Sequence, residues 1–225
     1  MNLVFDLDGT LIDSAPDIHA AACIALAAEG LPPVTAEQSR SFIGNGSSVF
    51  IARLERATAG QSEPERHARM LARFLEVYAT SHDRTRPYAG VPETLALLRG
   101  AGWRLGLCTN KPVGPARAVL AHLGWAEVFE TIIGGDSLPV IKPDPAPLRA
   151  VIESLGDGPA VYVGDSEVDA ATAQAAGVPF ALFTEGYRKT PVETIPHDRA
   201  FDRYADLPAI AAALASAGRR GQGLR

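Results

Sequence analysis

The sequence predicts an α/β protein: a doubly wound, Rossmann-like parallel sheet with a small all-helical domain inserted after the first strand. Three observations predict it. Short apolar runs alternate with amphipathic helical stretches through the second half of the chain, the pattern of successive βαβ units. The first apolar run is separated from the second by residues 9–102, too long a gap for one crossover helix. Within that gap, residues 16–82 carry helical patterns only.

In chain order, LVFDLD (3–8) reads as the first strand. IHAAACIALAAEG (18–30) is the first helix of the insertion. A second helix follows Leu31–Pro33, where Thr35 and Gln38 have capping-box spacing. SSVFIARLERATAG (47–60) and PERHARMLARFLEVYATSH (64–82) complete the insertion. Four further strands follow: WRLGLCT (103–109), ETIIGG (130–135), AVYVGD (160–165) and PFALFT (179–184). All are short and bounded by Gly, Pro or Asp, as strands buried on both faces should be. The helices between them are PETLALLRGAG (92–102), GPARAVLAHLG (114–124), APLRAVIESLG (146–156) and VDAATAQAAG (168–177), each closed by Gly. These limits divide the chain into a discontinuous α/β core, 1–15 and 83–225, and a helical cap, 16–82. Hinges are expected near Asp13–Pro16 and Asp83–Tyr88. The tail AGRRGQGLR (217–225) has too little apolar content to pack and is expected to fray.

Composition narrows the function. With 225 residues, 47% hydrophobic and 21% charged, the chain is long enough for a core plus a smaller insertion and is ordinary for a globular protein. Lys plus Arg number 21 against 26 Asp plus Glu, a net charge of -5, which argues against a nucleic-acid partner. A small anionic substrate stays open, because a local site can be positive on an acidic protein. Cys23 and Cys108 lie in apolar stretches and read as buried small hydrophobes, so a cytoplasmic setting is expected. No run approaches the roughly 20 apolar residues of a membrane span. The N-terminus lacks a basic leader, so the chain is expected to begin as written.

In an open parallel sheet, ligands bind beyond the carboxyl ends of the strands. The first strand ends in Asp6 and Asp8, the second in Thr109–Asn110–Lys111, the fourth in Gly164–Asp165–Ser166 with Asp169 beyond it, and Lys142–Pro143 follows the third. Alone, Asp165–Ser166 reads as a helix cap and Thr109–Asn110 as a turn. Together these residues gather acids, a hydroxyl and a lysine at one edge. That set suits phosphoryl transfer through an aspartyl-phosphate. A carboxylate can form a covalent phospho-intermediate. Mg²⁺ takes one or two carboxylates plus a substrate phosphate. Asp6 and Asp165 supply those ligands, Lys142 offsets charge, and Thr109 with nearby amides holds phosphate oxygens. Asp8 protonates the leaving oxygen as Asp6 is phosphorylated, then takes a proton from the hydrolytic water.

FDLDGT, LCTNKP, the lysine of IKPDP, and VGDSEVDA resemble, in order and spacing, the four motifs of the haloacid dehalogenase-like hydrolases. The resemblance implies that Asp6 is nucleophile and metal ligand. It makes Asp8 the acid/base, with its carbonyl on Mg²⁺, and Asp165 a direct ligand. Thr109 and Asn110 become the phosphate-binding pair and Lys142 the neutralising cation. Asp169 would support the metal's waters or Lys142. Within the family, LIDSAPDI, FIGNGSS, YAGVPETL, GGDSLPVIKPDP and EGYRK are similar to the bacterial phosphoglycolate phosphatases. This implies a cytoplasmic, Mg²⁺-dependent phosphatase, monomeric or homodimeric, cleaving 2-phosphoglycolate to glycolate and phosphate. Ile141 departs from that pattern, standing where a second lysine is common. The loop Gly44–Asn45–Gly46 is placed to read the non-phosphate end of the substrate with backbone N–H groups. An interhelical turn using glycines for positive φ is the alternative there. Arg188 reads as a solvated surface residue. Rival functions are a sugar-phosphate phosphatase, a β-phosphoglucomutase-like phosphomutase, and a non-catalytic phosphate-binding module. A dehalogenase is disfavoured because it has no use for Asp8 or Asp165.

Overall fold

The computed structural model describes residues 1–222. Six parallel strands form the central sheet: β1 (Asn2–Phe5), β4 (Arg104–Cys108), β5 (Thr131–Ile133), β6 (Ala160–Gly164), β7 (Phe180–Phe183) and β8 (Arg199–Phe201). Their order is β5-β4-β1-β6-β7-β8, so β1 is central, between β4 and β6. The chain winds outward from β1 to one edge, then returns to β1 and winds to the other. The crevice beyond the carboxyl end of β1 is the topological switch point where such sheets bind ligands.

Alternation within the strands builds two cores. Leu3, Phe5, Val161 and Val163 face helices α5 (Val91–Gly100), α6 (Val113–His122) and α9 (Leu207–Gln222). Val4 and Tyr162 face α7 (Ala146–Leu155) and α8 (Glu167–Ala176). The five expected strands are all present. The sequence pattern missed β8 and α9. β8 is a three-residue edge strand in which only Phe201 is buried, so it carries no apolar run. In α9, Leu207, Ala211 and Leu214 pack onto the sheet, and the helix continues to Gln222 through much of the tail expected to fray. Residues 223–225 lie outside the described residues. No described helix is long and apolar enough to cross a membrane.

Between β2 (Ile12–Asp13) and β3 (Arg86–Pro87), which pair antiparallel, lie α1 (Ala15–Ala28), α2 (Ala36–Phe42), α3 (Ser47–Ala59) and α4 (Pro64–Tyr78). The predicted capping box starts α2: Thr35 Oγ1 accepts the Gln38 N–H, and Gln38 accepts the Thr35 N–H. Helical spacing gives these four helices a core of their own. Ile18, Ala22, Ala25 and Leu26 of α1 meet Phe50 and Leu54 of α3 and Met70 and Phe74 of α4. A buried carboxylate, Glu55, ties α3 to α4. It accepts from Ser62 Oγ (2.5 Å) and Arg66 Nε (2.9 Å) and bonds His67 Nδ1 at 3.0 Å. At the neck, Asp17 accepts from Thr85 Oγ1 (2.7 Å) and the Arg84 N–H (3.1 Å), clasping the two connecting segments.

Candidate active site

One pocket opens at the switch point, between the sheet and the four helices. Asp6, Asp8, Thr109, Asn110, Lys142, Asp165, Gly44 and Gly46 all line it. Asp6 directly follows β1, and its N–H extends the ladder by donating to Val163 O at 2.9 Å. It shares the side of Val4 and so faces the β6 tyrosine Tyr162 and the start of α8. Gly9 then reverses the chain at φ 90°, and a Cβ there would lie 2.5 Å from Asp165 Oδ2. Only glycine permits both the turn and the approach of the two acidic strand ends.

Lys142 is the hub. Its buried Nζ donates to Asp169 Oδ1 (2.7 Å) and Tyr162 Oη (2.9 Å) and lies 2.9 Å from Asp6 Oδ1. The last contact is an ion pair that gives Asp6 Oδ1 its one close cation. Burial, followed by the Asp169 charge, pushes the Asp6 carboxyl up to about 6 against the pull of Lys142. Asp165 is raised well above the usual carboxylate range, by burial first and then by Asp169 and Asp6. Burial opposes the Asp169 charge too, but Lys142, Ser166 and Tyr162 hold that group below its ordinary value. Burial also opposes the Lys142 ammonium, which Asp169 and Asp6 nevertheless keep firmly protonated.

Carboxylate oxygens of Asp6, Asp165 and Asp169 lie within 4.8 Å of one another. The oxygens of Asp169 are already occupied: Oδ1 by Lys142 and Tyr162, Oδ2 by Ser166 Oγ (2.6 Å) and the Ser166 and Asp165 N–H groups (3.2 Å each). It is the N3 residue of the capping box that starts α8. Asp165 accepts from Thr10 Oγ1 (2.8 Å) and the Tyr187 N–H (2.5 Å), which aim it while leaving lone pairs on both oxygens. A hard divalent cation thus fits between Asp6 and Asp165. The charge repulsion among these buried acids is what such an ion relieves.

Other expected residues take less direct places. Asn110 spends its side chain on structure: Nδ2 donates to Gly44 O and Lys142 O (3.0 Å each), and Oδ1 accepts the Lys142 N–H (2.9 Å). Asn45 does not line the pocket, and its Oδ1 accepts from Arg53. Ile141, lacking the charge of a lysine, reaches Gly46, where an added Cβ would stand 3.3 Å from Cδ1. Arg188 donates to Thr184 O and Thr190 O, and its neighbour Lys189 lines the pocket instead.

The motif reading gave no role to Lys111, Tyr78, Tyr187 or Arg40. Lys111 Nζ lies 3.1 Å from Asp8 Oδ1 and bonds the hydroxyl of Tyr78, from the end of α4. Its place inside LCTNKP was the available signal. Tyr187 Oη accepts from the Ser14 and Ala15 N–H groups and donates to Asp13 Oδ1 (2.7 Å), joining the loop after β7 to the neck. The Arg40 guanidinium of α2 stacks over its ring at 4.6 Å. Only the EGYRK phrase pointed there.

The profile of the haloacid dehalogenase-like hydrolases matches residues 1–177. A phosphoglycolate phosphatase of Cereibacter sphaeroides is 53% identical over 207 residues, 92% of this chain and 95% of that protein. One from Rhodobacter capsulatus is 44% identical over 208 residues, with the same coverage of both chains. The crystal structure of a predicted phosphoglycolate phosphatase from Haemophilus somnus 129PT superposes with a TM-score of 0.87 at 32% identity, covering 92% of this chain and 96% of that one. The catalytic motifs, the sheet order and these matches converge: the chain belongs to the haloacid dehalogenase-like hydrolases.

Proposed function

We propose that this chain is a Mg²⁺-dependent phosphatase of small phosphate monoesters, with 2-phosphoglycolate as its substrate. In this reading residues 1–15 and 83–225 are its catalytic core and residues 16–82 its cap. The observation that carries the proposal is the buried carboxylate of Asp6, set between the Lys142 cation and the Asp165 carboxylate. Asp6 and Asp165, with the backbone carbonyl of Asp8, would hold Mg²⁺. Bound there, the ion supplies positive charge that lets an anionic carboxylate approach an anionic phosphate.

The chain's own groups do the rest. Asp6 attacks phosphorus, forming the aspartyl-phosphate bond as the ester P–O bond breaks. Asp8 gives its proton to the departing oxygen, then takes one from the water that attacks the phospho-enzyme. Lys142 offsets charge on the phosphoryl oxygens. The Thr109 hydroxyl accepts from the Lys111 N–H (3.2 Å) and keeps its own proton for a phosphate oxygen. Asn110 acts one step back, fixing the Lys142 backbone and the Gly44 carbonyl. Asp169 locks Lys142 in place. Of the loop Gly44–Asn45–Gly46, the two glycines close the pocket wall while Asn45 braces the loop through Arg53.

Two facts favour a short substrate over a sugar phosphate or a phosphomutase. The cap side of the pocket presents Ile18, Ile43, Phe50 and Phe74, with only Ser47 and Tyr78 among its polar side chains, too few partners for the several hydroxyls of a sugar. The relatives covering nearly the whole chain are named phosphoglycolate phosphatases. We place the enzyme in the cytosol, as a monomer or homodimer. Its two cysteines are free thiols, in keeping with a reducing compartment. Phosphate release with Mg²⁺ present, over 2-phosphoglycolate, sugar phosphates and nucleotides, tests the substrate. 2-Phosphoglycolate should give the highest kcat/KM. A sugar phosphate turned over faster would contradict the assignment, and no phosphate release from any ester would leave a binding module.

A further inference from the structure

We propose that Lys111 selects the substrate: its ammonium binds the carboxylate carried by the leaving group, at a core–cap junction held by Tyr78. The inference rests on the reading above that the substrate is a short, carboxylate-bearing phosphate monoester.

Lys111 follows the end of β4 and is buried, its side chain only 3% exposed. Burying an ammonium is costly, and burial pulls this one below its ordinary lysine value against the attraction of Asp8. Phosphate neutralisation does not account for it, because Lys142 already holds that place against Asp6 and Asp169. Lys111 stands instead with Asp8, its Nζ 3.1 and 3.4 Å from the two carboxylate oxygens. The hydroxyl of Tyr78 bonds the same Nζ from the cap side.

The chemistry of the reaction fixes what lies beside Asp8. To protonate the departing oxygen, Asp8 must come within hydrogen-bonding reach of it. In a two-carbon ester the carboxylate carbon is two bonds from that oxygen. A cation in contact with Asp8 is therefore in reach of the substrate carboxylate. The surrounding cap wall, Ile18, Ile43, Phe50 and Phe74, suits the methylene and offers the carboxylate no other charge. The remaining pocket cation among the described residues, Lys189, is exposed on the loop after β7. Because Tyr78 comes from α4 and Lys111 from the sheet, the carboxylate-binding cation is completed only when cap and core are together. An ester with a neutral end gains nothing from it.

The test compares two esters with the same two-carbon chain, 2-phosphoglycolate and 2-hydroxyethyl phosphate, on the full-length protein with Mg²⁺. The wild type should favour the carboxylate ester in kcat/KM, and Lys111→Met should cut that preference about 10- to 100-fold, the worth of one charged hydrogen bond. Lys111→Gln keeps a donor for Asp8 and Tyr78 while losing the charge, and gives the same readout if the Met variant does not fold. Equal losses on both esters would mean that Lys111 only positions Asp8, which overturns the proposal. A preference that collapses in Lys189→Met, and not in the Lys111 variants, overturns it in favour of the rim lysine. A wild type with no preference for the carboxylate ester sinks this inference and the substrate reading together, whereas a wild-type preference that survives in both Lys111 variants sinks the inference alone.

Discussion

Asp6, Asp165 and Asp169 sit where the protein interior resists charge, and one buried lysine pairs with two of them. Lys142 is 3% exposed and contacts both Asp6 and Asp169, so Lys142→Met strands two buried carboxylates. Removing one partner of a buried pair costs roughly 3–5 kcal/mol. Denaturant unfolding of the metal-free variant should show a loss of that size, and an unchanged midpoint would refute the hub. The sequence made the acids visible because a strand buried on both faces should carry none. It could not show how the carboxylates are divided. Asp165 and Asp169 are alike as letters, yet Asp169 is saturated by Lys142, Tyr162 and Ser166 whereas Asp165 keeps open lone pairs. Asn110 was legible as a site residue, but the partners of its side chain, Gly44 and Lys142, lie in segments far apart in the chain.

At the scale of elements, the strands and helices with regular periodicity were legible in advance, including the capping box of α2. β8 was hidden because an edge strand with one buried side chain has no run to detect. The neck was legible only as a position. Its clasp depends on Asp17 meeting Arg84 and Thr85 across the whole insertion, a contact that local pattern does not encode. Asp17→Ala leaves the Thr85 hydroxyl and the Arg84 N–H without that acceptor. Thermal or chemical unfolding should record a loss of about 1–3 kcal/mol. A variant as stable as the parent would show that the strand pair β2–β3 and the Tyr187 contacts hold the neck without Asp17.

At the scale of the molecule, the pocket is a joint property of two cores. Arg40 of α2 donates to Gly186 O (3.0 Å), Gly44 O accepts from Asn110, and Tyr78 reaches Lys111, so the helices lie closed on the sheet. In the proposed reading those contacts part and re-form around the substrate, a gating step of the kind that often limits turnover. An ion held by Asp6 and Asp165 also couples the site to global stability. Mg²⁺ at about a hundred times its Kd should stabilise the fold by about 2.7 kcal/mol. A thermal scan should show that gain in the wild type and lose most of it in Asp165→Asn. No Mg²⁺-dependent shift in the wild type would remove the ion from the account.

In the proposed reaction the phosphoryl group passes through Asp6, where it can be trapped and located. Acid-quenched single turnovers with 2-phosphoglycolate and Mg²⁺, digested and mapped by mass spectrometry, should place phosphate on Asp6, in the peptide that contains FDLDGT. Phosphate found on another residue, or near-normal turnover by Asp6→Asn, would contradict it.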